Sequence, residues 1–134
     1  MTRFVVDASA VLEIAMNSRT VKPEHELFAP TLLRSQTLSA LHEAVQRGDM
    51  PPEEARSLLT RAGPPGLKVR LLGDAVLRQR AWDVADRLGW ASTYDAEYVA
   101  LTQLQADALV TLDADLGRSV KDLVTVATID DVVQ

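Results

Sequence analysis

Short apolar runs alternate along the chain with longer stretches whose apolar positions recur every three or four residues. RFVVD, residues 3–7, is β-branched and apolar and reads as a buried strand. Ser9 is placed to cap a helix over about Ala10–Met16. LFAP, near Leu27, is a weaker second strand, and Pro30 or Thr31 starts a helix that runs to about Arg47. Pro51 and Pro52 open PPEEARSLLTRA, which carries acids in its first turn as a helix amino end prefers. LKVRLL, Leu67–Leu72, alternates and reads as a strand. Asp74 caps the following helix, which ends near Gly89. Tyr94–Gln105 is helical. ALVTLD, Ala108–Asp113, is the clearest strand, and a short helix and a last strand, LVTVATI, follow it.

Alternating strands and helices specify an α/β fold. The expected form is a three-layer α/β/α sandwich with a central, mostly parallel sheet and right-handed crossovers. PEHELFAP and RAGPPGLKVR hold most of the turn chemistry and are short connections, so residues 1–134 are expected to form a single domain. A chain of 134 residues buries enough surface to need no staples. In open sheets of this kind ligands bind beyond the carboxyl ends of the strands, and that rule sorts the acids.

Asp7 ends the first strand and Asp113 ends ALVTL, so both project at the rim where sites form. Asp107 precedes the same strand and belongs to the opposite rim, as a turn residue. Asp95 opens YDAEYVALTQL. On a wheel of about 100° per residue Val99 falls near 40° and Thr102 near −20° from it, so Asp95 heads a partly apolar face. Glu97 falls near 200°, as a solvent-facing charge. Read alone, Asp95 is an ordinary helix-start acid. Asp115 either shares a side with Asp113 or caps LGRSVKDL. Ser9 and Thr111 bring hydroxyls to the same rim; their plain roles are cap and strand residue. Gln36 lies at the edge of the apolar stripe of LLRSQTLSAL, beside Ala40, from where a side chain can reach a rim cleft. Glu43, two turns on, is too far along the helix to replace it.

Three carboxylates at one rim repel, each pair by on the order of 4 kcal/mol at about 4 Å and an effective dielectric near 20. Such a cluster needs raised pKa values or a cation. The chain has no cysteine, which removes disulfides, thiol catalysis and thiolate metal sites. His25 and His42 have no histidine partner and are expected at the surface. All-oxygen donors favour Mg²⁺ or Mn²⁺ over zinc. The net charge of −5 argues against a broad electrostatic grip on nucleic acid. It leaves a nuclease open, because metal-loaded carboxylates form a cationic site. MTRFVVDASAV has too short an apolar run for a signal peptide, and no stretch approaches the roughly 20 apolar residues of a membrane span. A cytoplasmic protein with no membrane contact is expected.

FVVDASAVLE, FAPTLLRSQTLSAL, STYDAEYVALTQ and ADALVTLDADLGRSV, in that order and spacing, resemble a PIN domain, in particular the VapC-type ribonuclease toxins of toxin–antitoxin pairs. The resemblance covers nearly the whole chain. It implies a metal-dependent endoribonuclease with one or two Mg²⁺ or Mn²⁺ ions in an acidic pocket, where water attacks phosphorus in line. The family's first, third and fourth acids fall on Asp7, Asp95 and Asp113, with Asp115 at a supplementary position. The second, normally Glu, falls on Gln36. Arg34 and Arg118 are candidates to touch phosphate, with solvated helix arginines as the plain alternative; Ser9 and Thr111 are grouped with them as substrate-binding. The resemblance also implies a small cognate antitoxin, an RNA substrate and a homodimer.

Gln36 has three readings: a weakened nuclease, a non-catalytic PIN module that binds a protein partner or RNA without cleaving, or a Glu changed to silence a toxic protein. A phosphorylation receiver is the other parallel α/β reading. It needs paired acids after the first strand and a Lys after a late one, whereas one acid follows RFVV and Lys121 lies in a helix.

Overall fold

The computed structural model describes residues 2–64 and 66–134. Its strands are β1 (Thr2–Val6), β2 (His25–Pro30), β3 (Arg70–Leu72), β4 (Ala108–Val110) and β5 (Val126–Ala127). Its helices are α1 (Ala8–Met16), α2 (Leu33–Gln46), α3 (Pro52–Arg61), α4 (Ala75–Leu88), α5 (Tyr94–Gln105), α6 (Ala114–Val120) and α7 (Ile129–Val132). The five strands form one sheet in the order β3-β2-β1-β4-β5, and every pairing is parallel.

The strand order fixes the layers. The chain steps outward from β1 through β2 to β3, then returns past β1 to β4 and β5. Right-handed crossovers therefore put α1–α3 on one face and α4–α6 on the other. The helix packing agrees: α1, α2 and α3 touch one another, and α4 lies along α5. β1 and β4 are the buried centre, with Val5, Val6, Leu109 and Val110 fully enclosed. A smaller cluster of Ala15, Leu41, Ala55 and Leu58 joins α1 to α2 and α3. The direction of winding reverses between β1 and β4, and the crevice beyond their carboxyl ends is the expected ligand position.

Several boundaries differ from the sequence reading. The first helix starts at Ala8 and its cap is Asp7, not Ser9: the Asp7 carboxylate accepts from the Ala10 amide at 3.0 Å. The strand expected over Ala108–Asp113 stops at Val110. Beyond it the Leu112 and Asp113 amides donate to the Ser9 and Thr111 hydroxyls rather than to a neighbouring strand. LKVRLL pairs only over Arg70–Leu72, opposite Phe28–Pro30, because the Leu67 amide is used in a turn to Gly63. LVTVATI yields only Val126–Ala127. Its start closes the end of α6, with Leu123 and Val124 bonded back to Val120, and its end enters α7. α7 was not foreseen, although Thr128 and Asp131 form a capping box at its start.

The elements that set the site are otherwise as the pattern predicts. Asp74 caps α4 by accepting from the Leu77 amide at 2.8 Å. Gly89, at φ 69°, ends it in the left-handed region, where a side chain would be strained. That reversal turns the chain through Trp90–Thr93 into α5. Among the described residues no helix is long and apolar enough to cross a membrane.

Candidate functional site

Asp7 is the hub of the rim. Its Oδ1 accepts from the Ser9 hydroxyl at 2.6 Å and from the Ala10 amide at 3.0 Å. Its Oδ2 accepts from the Thr111 hydroxyl. Ser9 in turn accepts from the Leu112 amide at 3.0 Å, and Thr111 from the Asp113 amide at 3.1 Å. Two hydroxyls thus strap the segment after β4 to the carboxylate after β1. Ser9 and Thr111 orient a carboxylate and a backbone, an arrangement in which their protons are already given to Asp7.

Asp113 is the cap of α6, its Oδ1 accepting from the Asp115 and Leu116 amides at 3.0 and 3.1 Å. Among the described residues no donor reaches its other oxygen. Asp115 takes neither expected position. It sits in the first turn of α6, exposed, and pairs with Arg118 one turn on. Arg118 is therefore engaged with Asp115, through an exposed pair that water competes for. Arg34 is exposed and lines a different cavity, against Leu67, Val69 and Leu71. Two residues apart on α2, Arg34 and Gln36 point to opposite sides, so Arg34 does not join the rim.

Asp95, in the first turn of α5, is brought to the other two acids. Burial raises its pKa first, and the charges of Asp113 and then Asp7 raise it further. Its amino-terminal helix position does not offset these effects. Glu97 departs from the solvent-facing expectation: it is half-buried because α4 packs along α5. Burial raises its pKa, with Arg78 opposing.

Gln36 faces the same rim. Its Oε1 accepts from the Tyr98 hydroxyl at 2.6 Å. Tyr98 is 1% exposed, and its pKa is raised by burial and then by Asp7, Glu97 and Asp95. The sequence reading passed over Tyr98, yet the wheel that placed Val99 puts it about 60° from Asp95. Gln36 and Asp95 also share a cavity of about 490 Å³ with Trp90, Ser92 and Tyr94, aromatic and hydroxyl groups that no acid pattern points to. His42 is exposed as expected. His25 is half-buried rather than exposed: its ring packs edge-on to Phe4 at 5.1 Å and its Nδ1 is buried without a partner among the described residues. Asp107 holds the opposite rim, accepting from the Arg3 amide at 2.8 Å.

Among the described residues no three His, Asp or Glu side chains are drawn close enough to form a ready metal cage. The fit to a hard cation is one of charge and donor type. The charged groups of the rim are all carboxylates, beside hydroxyl and amide oxygens, and the repulsion that raises the Asp95 pKa is what a bound cation relieves.

The five-stranded, all-parallel sheet flanked by helices, with acidic side chains at its switch point, is a PIN-like fold. The chain is 34% identical over 117 residues to VapC ribonuclease Mb0985 of Mycobacterium bovis, covering 84% of this chain and 87% of that one. Ribonuclease VapC9 of Mycobacterium tuberculosis matches at the same identity and coverage. The chain belongs to the VapC family of PIN-domain ribonuclease toxins. PAE2754 of Pyrobaculum aerophilum shares the fold, with a TM-score of 0.71 over 97% of this chain and 92% of that one at 23% identity. No family profile matches the chain.

Proposed function

We propose that the chain is a Mg²⁺- or Mn²⁺-dependent endoribonuclease, the toxin of a type II toxin–antitoxin pair, with its activity reduced by Gln36. The observation that carries this reading is the placement of Asp7 after β1 and Asp113 after β4 at the switch point, with Asp95 near enough for both charges to raise its pKa. Family membership supplies the substrate class.

Asp7, Asp95 and Asp113 would hold the ion. A divalent ion, when bound, supplies Lewis acidity toward phosphate and water. The chain's own contribution is orientation. Ser9 and Thr111 fix the Asp7 carboxylate, and Asp113 presents one oxygen while the other holds the start of α6. Gln36 brings no charge, and its carbonyl oxygen is occupied by Tyr98, so the site has one fewer anion to retain its ion. Asp115 and Arg118 exchange partners with the solvent readily, which leaves Arg118 able to meet a phosphate.

The deciding assay is cleavage of a structured RNA with Mn²⁺, comparing this chain, Gln36→Glu and the double variant Asp7→Asn/Gln36→Glu. Gln36→Glu is expected to cut faster by about tenfold or more, the scale of losing a group that supports a metal. The double variant and chelated samples should be inactive. Equal, metal-independent inactivity of all three proteins overturns the reading.

The neutral, already bonded Gln36 favours a second reading, a non-catalytic PIN module acting through contact with a partner. It requires partner binding that survives Asp7→Asn and excess chelator, with no cleavage by Gln36→Glu. Under either reading the partners are a small cognate antitoxin, whose arginine the acidic rim suits, and a second copy of the chain.

A further inference from the structure

The cavity beside the acidic rim has a composition that phosphate binding does not explain. Neither lysine nor arginine lines it among the described residues, and Asp95 and Gln36 form one wall. A phosphate there would find no cationic side chain, and its only counter-charge would be an ion held by Asp95. A neutral, flat, polar-edged group needs none. The chain has only two Trp and two Tyr, and one of each lines this cavity. Tyr94 is 58% exposed and directly precedes Asp95. Trp90 is half-buried and packed against the core, a fixed wall. A single exposed aromatic is ordinary, but here two share one cavity with a candidate metal ligand.

The polar groups around the rings are of both kinds. Tyr98 holds the Gln36 carbonyl oxygen, which leaves the amide nitrogen as the free end, a donor. The Ser92 hydroxyl donates or accepts. Asp95 accepts. A π surface edged by donors and acceptors is what reads an unpaired base, whose faces and edges are both open. A base inside a duplex is covered on both faces and cannot enter.

We propose that this cavity is a subsite for one unpaired nucleobase of the RNA substrate, stacked on Tyr94 and walled by Trp90. It rests on the ribonuclease reading and adds to it a stacking position for one base beside the acids, supplied by Tyr94 and Trp90.

Trp82→Phe leaves Trp90 as the sole tryptophan and serves as the background. A mixed-sequence single-stranded hexaribonucleotide and its blunt duplex are titrated in Mg²⁺, following Trp90 fluorescence, with cleavage measured in Mn²⁺ in parallel. The single strand should quench Trp90 and the duplex should not. Tyr94→Ala should weaken single-strand binding about tenfold, whereas Tyr94→Phe should remain within about twofold, since the ring persists. Equal binding by Tyr94→Ala, or RNA that is cut or bound without disturbing Trp90, overturns the subsite and leaves the ribonuclease reading standing. Failure of both the parent and Gln36→Glu to bind or cut any RNA overturns that reading, and the subsite with it.

Discussion

Asp95 is held above the ordinary carboxylate range by burial first, then by Asp113 and Asp7. A raised folded-state pKa means that the folded protein binds this proton more tightly than the unfolded chain does. Ionised Asp95 therefore opposes folding at neutral pH, and the penalty fades as pH falls through the raised value. Asp95→Asn should abolish cleavage yet raise the melting temperature at pH 7. Solvent screening of this accessible side chain limits the gain to about 0.5 kcal/mol, roughly 2 °C. Calorimetry between pH 4 and 7 should show the variant losing the parent's decline in stability with rising pH; a destabilised variant contradicts the account. Adding Mg²⁺ should lower the Asp95 pKa, read by carboxyl NMR titration. The acids were legible because strand ends and a helix start place them. Tyr98 was not, because its hydroxyl finds Gln36 across 62 positions of sequence, and pattern alone carries no such pairing.

At the scale of elements, the shortened β4 and the capped α6 are one device. β5 has only two residues, so among the described residues no strand pairs with Thr111–Asp113, and hydroxyls take over the ladder's role. A sequence reader sees ALVTLD as continuous because each residue suits a strand; where it stops depends on its neighbours. Thr111→Val removes the proton given to Asp7 and the oxygen offered to the Asp113 amide. Faster hydrogen exchange at Leu112 and Asp113 is expected, with β1 and β4 protection unchanged. α6 has seven residues and is too short to stand without its cap. Asp113→Ala should cost about 1 kcal/mol in urea denaturation, and Asp113→Asn much less, since Asn caps well. Equal losses from the two would mean the cap is not what Asp113 contributes to stability.

For the whole molecule, the alternation of strands and helices specified the α/β class, and the winding order then followed from short connections and handedness. What the sequence left open was the extent of the edge strands and the terminal helix, which depend on partners rather than on local pattern. A bound cation should stabilise the entire fold, because Asp7, Asp95 and Asp113 come from three different segments. At a hundredfold excess over Kd the gain is about 2.7 kcal/mol. The Mn²⁺-induced rise in melting temperature should be larger in Gln36→Glu and absent in Asp7→Asn/Gln36→Glu. The four rim positions are not equally free to change over generations. Asp7 starts α1 and anchors the segment after β4, and Asp113 starts α6, so a lineage that abandoned RNA cleavage would still be selected to keep a capping side chain at both positions in order to fold. Asp95 and residue 36 carry no cap. Drift away from nuclease activity therefore registers first at those two places, and retained caps at positions 7 and 113 are a record of folding, whereas the identity of residue 36 is a record of use.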